Sequence, residues 1–326
     1  MTSRIREQAI APDSLAGKRF DQAAAALFPE YSRARLQQWI REGALTIDGA
    51  SAKPTLKIRG GEALNLDAET ETQAEASAQN IPLDIIHADQ DIIVLNKPTG
   101  LVVHPAPGHR DNTLLNGLLY YDESLSELPR AGVVHRLDMD TSGVMVVARS
   151  LRAHTSLVRQ LQSRSMSRIY RAITIGVPVA GGKIDQPIGR HPKNRKRMAV
   201  VSNGKPAVTR FRVLERFQGF ASIEVSLETG RTHQIRVHMT HLGFSLLGDP
   251  VYGRRMPKLN KTSSLPDSLA SQLREFPRQA LHAFRLRLKH PENDQECEFE
   301  APLPADFREL LTSLREHAPA INQPFQ

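Results

Sequence analysis

Hydrophobic residues near the start of the chain recur at helical spacing in two short segments. In the first segment, Phe20, Ala24 and Leu27 share one face of a predicted helix, and Pro29 helps to end it. The second segment, SRARLQQWIREG, has Ser32 as its N-cap and Gly43 at its end. Its apolar positions turn inward and its arginines lie on the other faces: Leu36, Trp39 and Ile40 inward, and Arg33, Arg35 and Arg41 outward. A short strand over 45–47 and an Asp-Gly turn follow, which predicts a small α/β module.

After residue 80 the pattern changes to short β-branched runs bounded by turn residues, which predict buried strands. IYRAITIGV predicts a strand with Tyr170 on one face, and ASIEVSLE alternates as a half-exposed antiparallel strand does. Two helices are predicted among these strands. The first is capped by Ser150 and has His154, Leu157, Val158 and Leu161 on one side; the second turns Ile235, Met239 and Leu242 inward. Strands dominate without a regular βαβ alternation, so we predict an α+β fold with a mixed, largely antiparallel sheet flanked by helices and loops.

Composition divides the chain into four parts. Residues 1–13 are predicted to be a disordered tail, and residues 14–66 form the small module. The segment DAETETQAEASAQN, residues 67–80, is polar and acidic and lacks apolar β-branched residues, which is typical of a linker. Residues 81–326 form a larger second domain.

Charge favours a polyanionic partner, since the 326 residues carry a formal net charge of +8. Between Gly189 and Arg212 the chain contains basic residues and no acid: Arg190, Lys193, Arg195, Lys196, Arg197, Lys205, Arg210 and Arg212. Phosphates would neutralise such a segment, although it could also be a solvated basic loop. A single cysteine, Cys297, excludes a disulfide scaffold and a cysteine-rich zinc site. The N-terminus has no apolar signal region and no run reaches membrane-span length, so we expect a cytoplasmic protein without a membrane partner. A monomer is the default expectation, since the sequence does not indicate an oligomeric state.

The segment HRLDMDTSGVMVVAR carries the most distinctive chemistry, because its Asp138 lies between two predicted core elements. An unpaired carboxylate there would cost several kcal/mol, so Asp138 is expected to have a partner and a task. His233, His238 and His241 do not share one helix face and have no acid among them, so hydrogen bonding is expected rather than zinc. Glycine-rich nucleotide motifs are absent, and no cofactor is indicated.

Several segments resemble, in order, those of the RluA/RluD-type ribosomal RNA pseudouridine synthases. They are NKPTGLVVHPAPG, HRLDMDTSG, IYRAITIG, RHPKNRKRMAV, LETGRTHQIRVHMTHLG and GDPVYG. FPRQALHAFRLRLKHP resembles the D-type members of that family, and the first module resembles the S4 RNA-binding module. The resemblance extends to about Arg315 and implies a cofactor-free isomerisation of uridine to pseudouridine, with sites in helix 69 of large-subunit (23S) ribosomal RNA.

The same resemblance implies a role for individual residues. Asp138 aligns with the essential aspartate, which acts at C1′ or C2′ of the ribose or at C6 of the base, and Tyr170 aligns with the active-site tyrosine. Arg236 aligns with the arginine that pairs with the aspartate, with Arg231 as the competing candidate. Arg136 resembles the residue that fills the gap left by a flipped nucleotide. The basic residues of the first module and of the 189–212 segment would hold phosphate.

Three rival functions remain to be weighed. The first is a non-catalytic RNA-binding ribosome assembly factor, which the intact set of Asp138, Tyr170, Arg136 and Arg236 disfavours. The second is a synthase of the same family acting on other ribosomal or transfer RNA sites. The third is another base-modifying enzyme, such as a methyltransferase or deaminase, which would need a cofactor loop or a zinc set. Ribosomal RNA, the large subunit or its precursor is the expected partner.

Overall fold

The computed structural model describes residues 2–29, 31, 33–71, 77–105, 109, 111–194, 197–253 and 265–318. The chain divides into two compact units, Met1–Glu75 and Ala76–Gln326. Within these described ranges, no helix has the length and apolar character needed to cross a membrane.

The first unit is a three-stranded antiparallel sheet with two helices. Its strands are β1 (Thr2–Ile10), β2 (Leu45–Ile47) and β3 (Ala63–Glu71), in the order β1-β3-β2, and its helices are α1 (Phe20–Leu27) and α2 (Arg33–Glu42). Most of the predicted inward positions are confirmed, because Phe20, Ala24, Leu36, Trp39 and Ile40 are buried. Leu27 is partly buried and packs against the same core. The predicted cap Ser32 lies outside the described residues.

The prediction of a disordered tail over residues 1–13 is wrong, because β1 pairs along its whole length with β3. The same pairing extends β3 to Glu71, so the first five residues of the predicted linker, 67–71, are also strand. Complementary charge accounts for both errors: Arg4 donates from Nε and Nη2 to the Asp67 carboxylate at 2.7 and 2.9 Å. Composition missed this because it treats each acidic or basic segment alone, whereas opposite charges on facing strands stabilise a sheet.

The second unit contains eleven strands and five α-helices in its described part, and nine of the strands form one sheet. The main-sheet strands are β4 (Asp84–Ala88), β5 (Ile92–Lys97), β6 (Ser142–Ala148), β7 (Ser167–Ile175), β8 (Gly182–Asp185), β11 (Val208–Phe217), β12 (Phe220–Leu227), β13 (Leu281–Lys289) and β14 (Glu296–Glu300). A separate hairpin is formed by β9 (Ile188–Arg190) and β10 (Met198–Val200). The helices, apart from short 3₁₀ turns, are α3 (Leu114–Tyr121), α4 (Leu151–Ser163), α5 (Gln234–His241), α6 (Asp267–Glu275) and α7 (Ala305–His317).

The nine-stranded sheet has the order β4-β5-β6-β13-β7-β12-β11-β8, and β14 pairs with β13. Its neighbours are antiparallel except β6 and β13, which run parallel. The predicted mixed, largely antiparallel sheet is therefore confirmed. β6 is buried at every position, and it can approach β13 closely because residue 143 is glycine. A Cβ at Gly143, whose φ is +116°, would lie 2.1 Å from the carbonyl oxygen of Ala283.

The capping and periodicity patterns predict the positions of the helices correctly, but they do not predict every inward-facing residue. Ser150 caps α4 as predicted, its Oγ accepting a hydrogen bond from the Ala153 N–H at 3.1 Å. On α5, Ile235 and Met239 are buried, but the prediction that Leu242 faces inward is wrong. Leu242 is 41 % exposed because α5 ends at His241 and the backbone then turns. β12 is also more buried than predicted, since it lies between β7 and β11.

Candidate active site

The loop that carries Asp138 is held at both ends. Val133 forms a bridge to Val147 of β6, and the Thr141 N–H donates to the Asp138 carbonyl oxygen at 3.1 Å. Leu137 is buried in the core, which turns the next side chain outward. The Asp138 side chain is 18 % exposed and lies in the wall of a cavity.

The cavity has a volume of about 800 Å³, within the range of small-molecule sites. Tyr170 of β7 and the loop between β12 and α5 form part of its wall, together with Val158 and Leu161 of α4. The described part of its lining contains six arginines: Arg130, Arg136, Arg164, Arg168, Arg231 and Arg236. The carboxylates in this described part are those of Asp138 and Glu228, so positive charge dominates there and an anionic ligand is favoured.

Arg236, on the first turn of α5, is the partner of Asp138. Its Nη1 donates to Asp138 Oδ2 at 2.9 Å, while its Nε and Nη2 donate to the Asp249 carboxylate at 2.7 and 2.9 Å. The other candidate, Arg231, instead donates from Nε to the carbonyl oxygen of Pro206 at 3.0 Å. The guanidinium of Arg236 therefore bridges two carboxylates, one fully buried and one facing the cavity.

Asp249 was not singled out by sequence reasoning, although it lies in the GDPVYG motif. Its side chain is fully buried and also accepts hydrogen bonds from the backbone N–H groups of Val251 and Tyr252, both at 2.9 Å. Burial alone would raise the pKa of Asp249, but Arg236 and these two N–H groups lower it below its usual value. The same contacts raise the pKa of Arg236 despite its burial. Asp249 thus holds the guanidinium in place beside Asp138.

Tyr252 connects this centre to the basic hairpin of β9 and β10. Its hydroxyl accepts a hydrogen bond from the Met198 N–H at 2.8 Å and lies 2.8 Å from His233 Nδ1. The guanidinium carbons of Arg236 and Arg197 each lie 5.1 Å from the centre of its ring. Arg197, predicted to bind RNA, is therefore packed against the same aromatic ring as the partner of Asp138.

Tyr170 lies on β7 between β13 and β12, opposite Ala283 and Val225. It is 6 % exposed and lines the cavity. Burial raises the pKa of the Tyr170 hydroxyl, an effect that the cation of Arg168 opposes. The phenol is therefore in its neutral form at physiological pH.

Lys97, at the end of β5, lies in the NKPTGLVVHPAPG segment but was not singled out by sequence reasoning. It is fully buried, and its Nζ donates to the carbonyl oxygens of Pro98, Leu101 and Met139 at 2.7, 2.9 and 2.8 Å. Burial lowers the pKa of Lys97 to about 7, and the nearby Asp140 and Asp138 carboxylates oppose this. Because Met139 follows Asp138 directly, Lys97 connects the Asp138 loop to the end of β5.

The remaining basic residues predicted to bind RNA differ in their availability. Arg136 and Lys193 are exposed, and Arg190 is exposed at the end of β9. Arg195 and Lys196 lie outside the described residues.

On α2, Arg33 pairs with buried Asp21 at 2.8 Å and Arg35 lies over the Trp39 ring at 5.6 Å. Arg41 is exposed and, within the described residues, forms no ion pair.

The three histidines near α5 do not converge on a common point. His238 is buried, with Nδ1 2.8 Å from Thr209 Oγ1 and Nε2 3.0 Å from the Gln186 carbonyl oxygen. His241 is exposed, and His233 Nε2 lies 3.9 Å from Asp138 Oδ1. Burial lowers the pKa of His233, and the Asp138 carboxylate opposes this effect.

A different group of possible metal ligands lies away from the cavity lining. Asp91, His290 and Glu292 offer ligand atoms within 4.8 Å of one another. Two of the three are already engaged, because Arg152 Nη2 contacts the Asp91 carboxylate at 2.7 Å and His290 Nε2 lies 3.0 Å from Asp89 Oδ2. Hydrogen bonds and ion pairs account for this cluster.

Comparison with known proteins agrees with this geometry. The profile described as RNA pseudouridylate synthase matches residues 91–241, which include Asp138, Tyr170 and Arg236. The chain is 55 % identical to the ribosomal large subunit pseudouridine synthase D of Pseudomonas aeruginosa, over 98 % of this chain and 99 % of that protein. It is 48 % identical to the protein of the same name from Escherichia coli K12, over 97 % and 96 % of the two chains.

Solved structures show the same relationship at lower identity. Human RNA Pseudouridylate Synthase Domain Containing 1 aligns with a TM-score of 0.56 and 26 % identity, covering 76 % of this chain and 93 % of that one. Human RNA Pseudouridylate Synthase Domain Containing 4 aligns with a TM-score of 0.54 and 29 % identity, covering 71 % and 93 %. The extent and identity of these matches, together with the Asp138 cavity, show that the chain belongs to the RNA pseudouridylate synthase family and is an RNA pseudouridine synthase.

Proposed function

We propose that this enzyme converts uridines to pseudouridine in large-subunit ribosomal RNA, at sites in helix 69. The observation that carries the proposal is the Asp138 carboxylate, held by a buried arginine in the wall of an arginine-lined cavity. The names of the relatives that align over almost the whole chain support the choice of RNA. No cofactor is invoked, because the isomerisation requires only a carboxylate and a pocket that retains the detached base.

Asp138 is the proposed catalytic residue. In the reaction the N1–C1′ bond breaks, the uracil turns, and a C5–C1′ bond forms with loss of the proton from C5 and gain of a proton at N1, so that the product is an isomer of the substrate. Whether the carboxylate acts at C1′, at C2′ or at C6, it needs one oxygen that is not held by the protein. Oδ2 is bonded to Arg236, whereas the nearest ionisable partner of Oδ1 is His233 at 3.9 Å. Oδ1 is therefore the oxygen that we assign to the substrate.

Tyr170 is proposed to pack against the uracil while it turns. Its raised pKa keeps the phenol protonated, which favours packing and hydrogen bonding over a role as a free base. Its burial beside the apolar wall of the cavity also helps to exclude water during the time that the base is detached.

Arg136 is proposed to fill the gap left when the target nucleotide leaves the RNA stack. It is exposed and lies in the cavity lining two residues before Asp138. Extruding a nucleotide costs a few kcal/mol, and an inserted guanidinium offsets part of this through stacking and charge.

The decisive experiment maps pseudouridines by carbodiimide adducts and primer extension on large-subunit RNA, both naked and in subunits that lack the modification. We expect new stops in helix 69 with the wild-type enzyme and none with Asp138→Asn. Asp294→Asn is the matched control, because Asp294 is exposed, has a φ of +57° that asparagine accepts, and lies outside the cavity. Stops elsewhere would reassign the substrate, and no stops on either substrate would favour the assembly-factor function.

The first unit is proposed to act as an S4-like RNA-binding module, with Arg41 as a phosphate contact. Arg41→Gln should weaken RNA binding and lower the slope of log Kd against log salt by about one. Arg6→Gln is a suitable control in the same unit, because Arg6 already faces Asp67, at 3.5 Å. Equal salt slopes for wild type and Arg41→Gln would exclude a phosphate contact at this position.

A further inference from the structure

Arg168 is a buried cation inside the active-site cavity for which the proposed chemistry has no use. It lies on β7 two residues before Tyr170, so the two side chains share a face of the strand. Arg168 is 9 % exposed and lines the cavity together with Asp138 and Tyr170.

Arg168 lacks the partners that other buried arginines have. Arg236 donates two hydrogen bonds to the Asp249 carboxylate, at 2.7 and 2.9 Å. Arg278 likewise donates two to the Asp306 carboxylate, at 2.7 and 2.8 Å. In the described part of the chain, the side chain of Arg168 makes neither a hydrogen bond nor an ion pair, and its Nε is buried without an acceptor. A guanidinium in this state is costly unless a ligand supplies the missing negative charge.

His135, a neighbour of Arg168 in the cavity wall, presents a donor rather than an acceptor. His135 accepts a hydrogen bond at Nε2 from the Val146 N–H at 3.1 Å, so the neutral ring carries its proton on Nδ1, which is buried and unpartnered. Burial and the charge of Arg168 lower the pKa of His135 to about 3. Gly230 leaves room for the guanidinium, since a Cβ there would lie 2.8 Å from Nη1 of Arg168.

The carboxylates of the cavity are already paired with arginines other than Arg168. Asp138 is bonded to Arg236 at 2.9 Å, and Glu228 is bonded to Arg210 at 2.7 Å. A base carbonyl would supply an acceptor but no charge, whereas a phosphodiester supplies both. The fork formed by Nε and Nη2 of a guanidinium also matches two phosphate oxygens.

We propose that Arg168 binds a phosphodiester of the RNA strand within the cavity, adjacent to the nucleoside that is isomerised. This assignment rests on the proposed function, in which an RNA segment enters the cavity. Arg168 is then a substrate-binding residue that fixes the sugar of the target against Asp138, while Arg136 acts from the exposed side.

The test uses a set of stem-loop RNAs that each carry one neutral methylphosphonate linkage near the target uridine. With the wild-type enzyme, we expect one linkage to weaken binding at least tenfold, the effect of one charge-assisted hydrogen bond. With unmodified RNA, Arg168→Met should bind more weakly than wild type by a similar factor. The methylphosphonate at the sensitive linkage should not weaken the binding of this variant any further. Arg168→Lys should recover part of the affinity, and Arg287→Met, an exposed residue of β13 paired with Glu298, should match wild type.

Independent losses would overturn the assignment: if Arg168→Met and every methylphosphonate weaken binding additively, Arg168 contacts no phosphate. Unfolding temperatures distinguish loss of contact from loss of fold, and Arg168→Lys serves if the methionine variant does not fold. The proposed function is tested separately, by measuring pseudouridine formation in the unmodified stem-loop with the wild-type enzyme. The assignment of Arg168 depends only on the binding measurements, so the two can fail independently.

Discussion

Replacement of Asp249 by asparagine tests whether the buried carboxylate positions Arg236 for catalysis. The substitution keeps the shape of the side chain but removes the charge that Arg236 Nε and Nη2 contact at 2.7 and 2.9 Å. One of these two nitrogens would then face an amide NH₂ group, and donor would meet donor. Arg236 would keep Asp138, at 2.9 Å, as its remaining anion.

The size of the effect follows from burial. Arg236 and Asp249 side chains are 5 % and 0 % exposed, and breaking a buried ion pair by neutralising one partner costs about 3–5 kcal/mol. We therefore expect Asp249→Asn to lower the free energy of unfolding by about 3 kcal/mol. We also expect kcat to fall by about 100-fold with a smaller change in KM, because the guanidinium no longer orients Asp138.

The assay combines denaturant unfolding with single-turnover pseudouridine formation below the unfolding transition. Asp306→Asn is the matched control, because Asp306 also holds an arginine, Arg278, through two nitrogens, but is 37 % exposed and lies outside the cavity. That variant should lose less stability and keep wild-type kcat. A kcat for Asp249→Asn within threefold of wild type would refute the positioning role, whatever the loss in stability.

Three further substitutions test the surroundings of the site by denaturant unfolding. Lys97→Met leaves three carbonyl oxygens without a donor and should cost about 3 kcal/mol, which an unfolding free energy equal to wild type would contradict. Gly143→Ala places a Cβ 2.1 Å from Ala283 O at a φ of +116° and should cost about 4 kcal/mol or more; a loss below 1 kcal/mol would show that β6 and β13 can separate. Burial lowers the pKa of His282 from 6.5 to about 4, so the unfolded chain binds this proton first as pH falls. Stability is then complete above pH 6.5 and declines by about 3 kcal/mol toward pH 4, and His282→Gln should flatten that decline.

Much of the first unit could be predicted from local pattern, because helix faces and tight turns depend on neighbours in the chain. The inward stripe of α2 and the Asp48–Gly49 turn are such cases, and both are present, with Asp48 and Gly49 at positive φ. The pairing of β1 with β3 could not be predicted in this way. It brings Arg4 to Asp67 across 63 positions, and charge composition read segment by segment indicated a tail and a linker instead.

The same distinction between local pattern and long-range packing applies to the active site. The motif around Asp138 and the resemblance it carries predicted the reaction, and they singled out Asp138, Tyr170 and Arg236 as candidates before any contact was known. The contacts themselves are set by tertiary packing: Arg236 meets Asp138 across 98 positions, and Asp249 and Lys97 hold this pair and its loop from two other elements. Periodicity reports only which face of an element is buried. Which charged side chains share that buried space depends on how distant elements pack, because the cost of an unpaired charge is set by the whole environment around it.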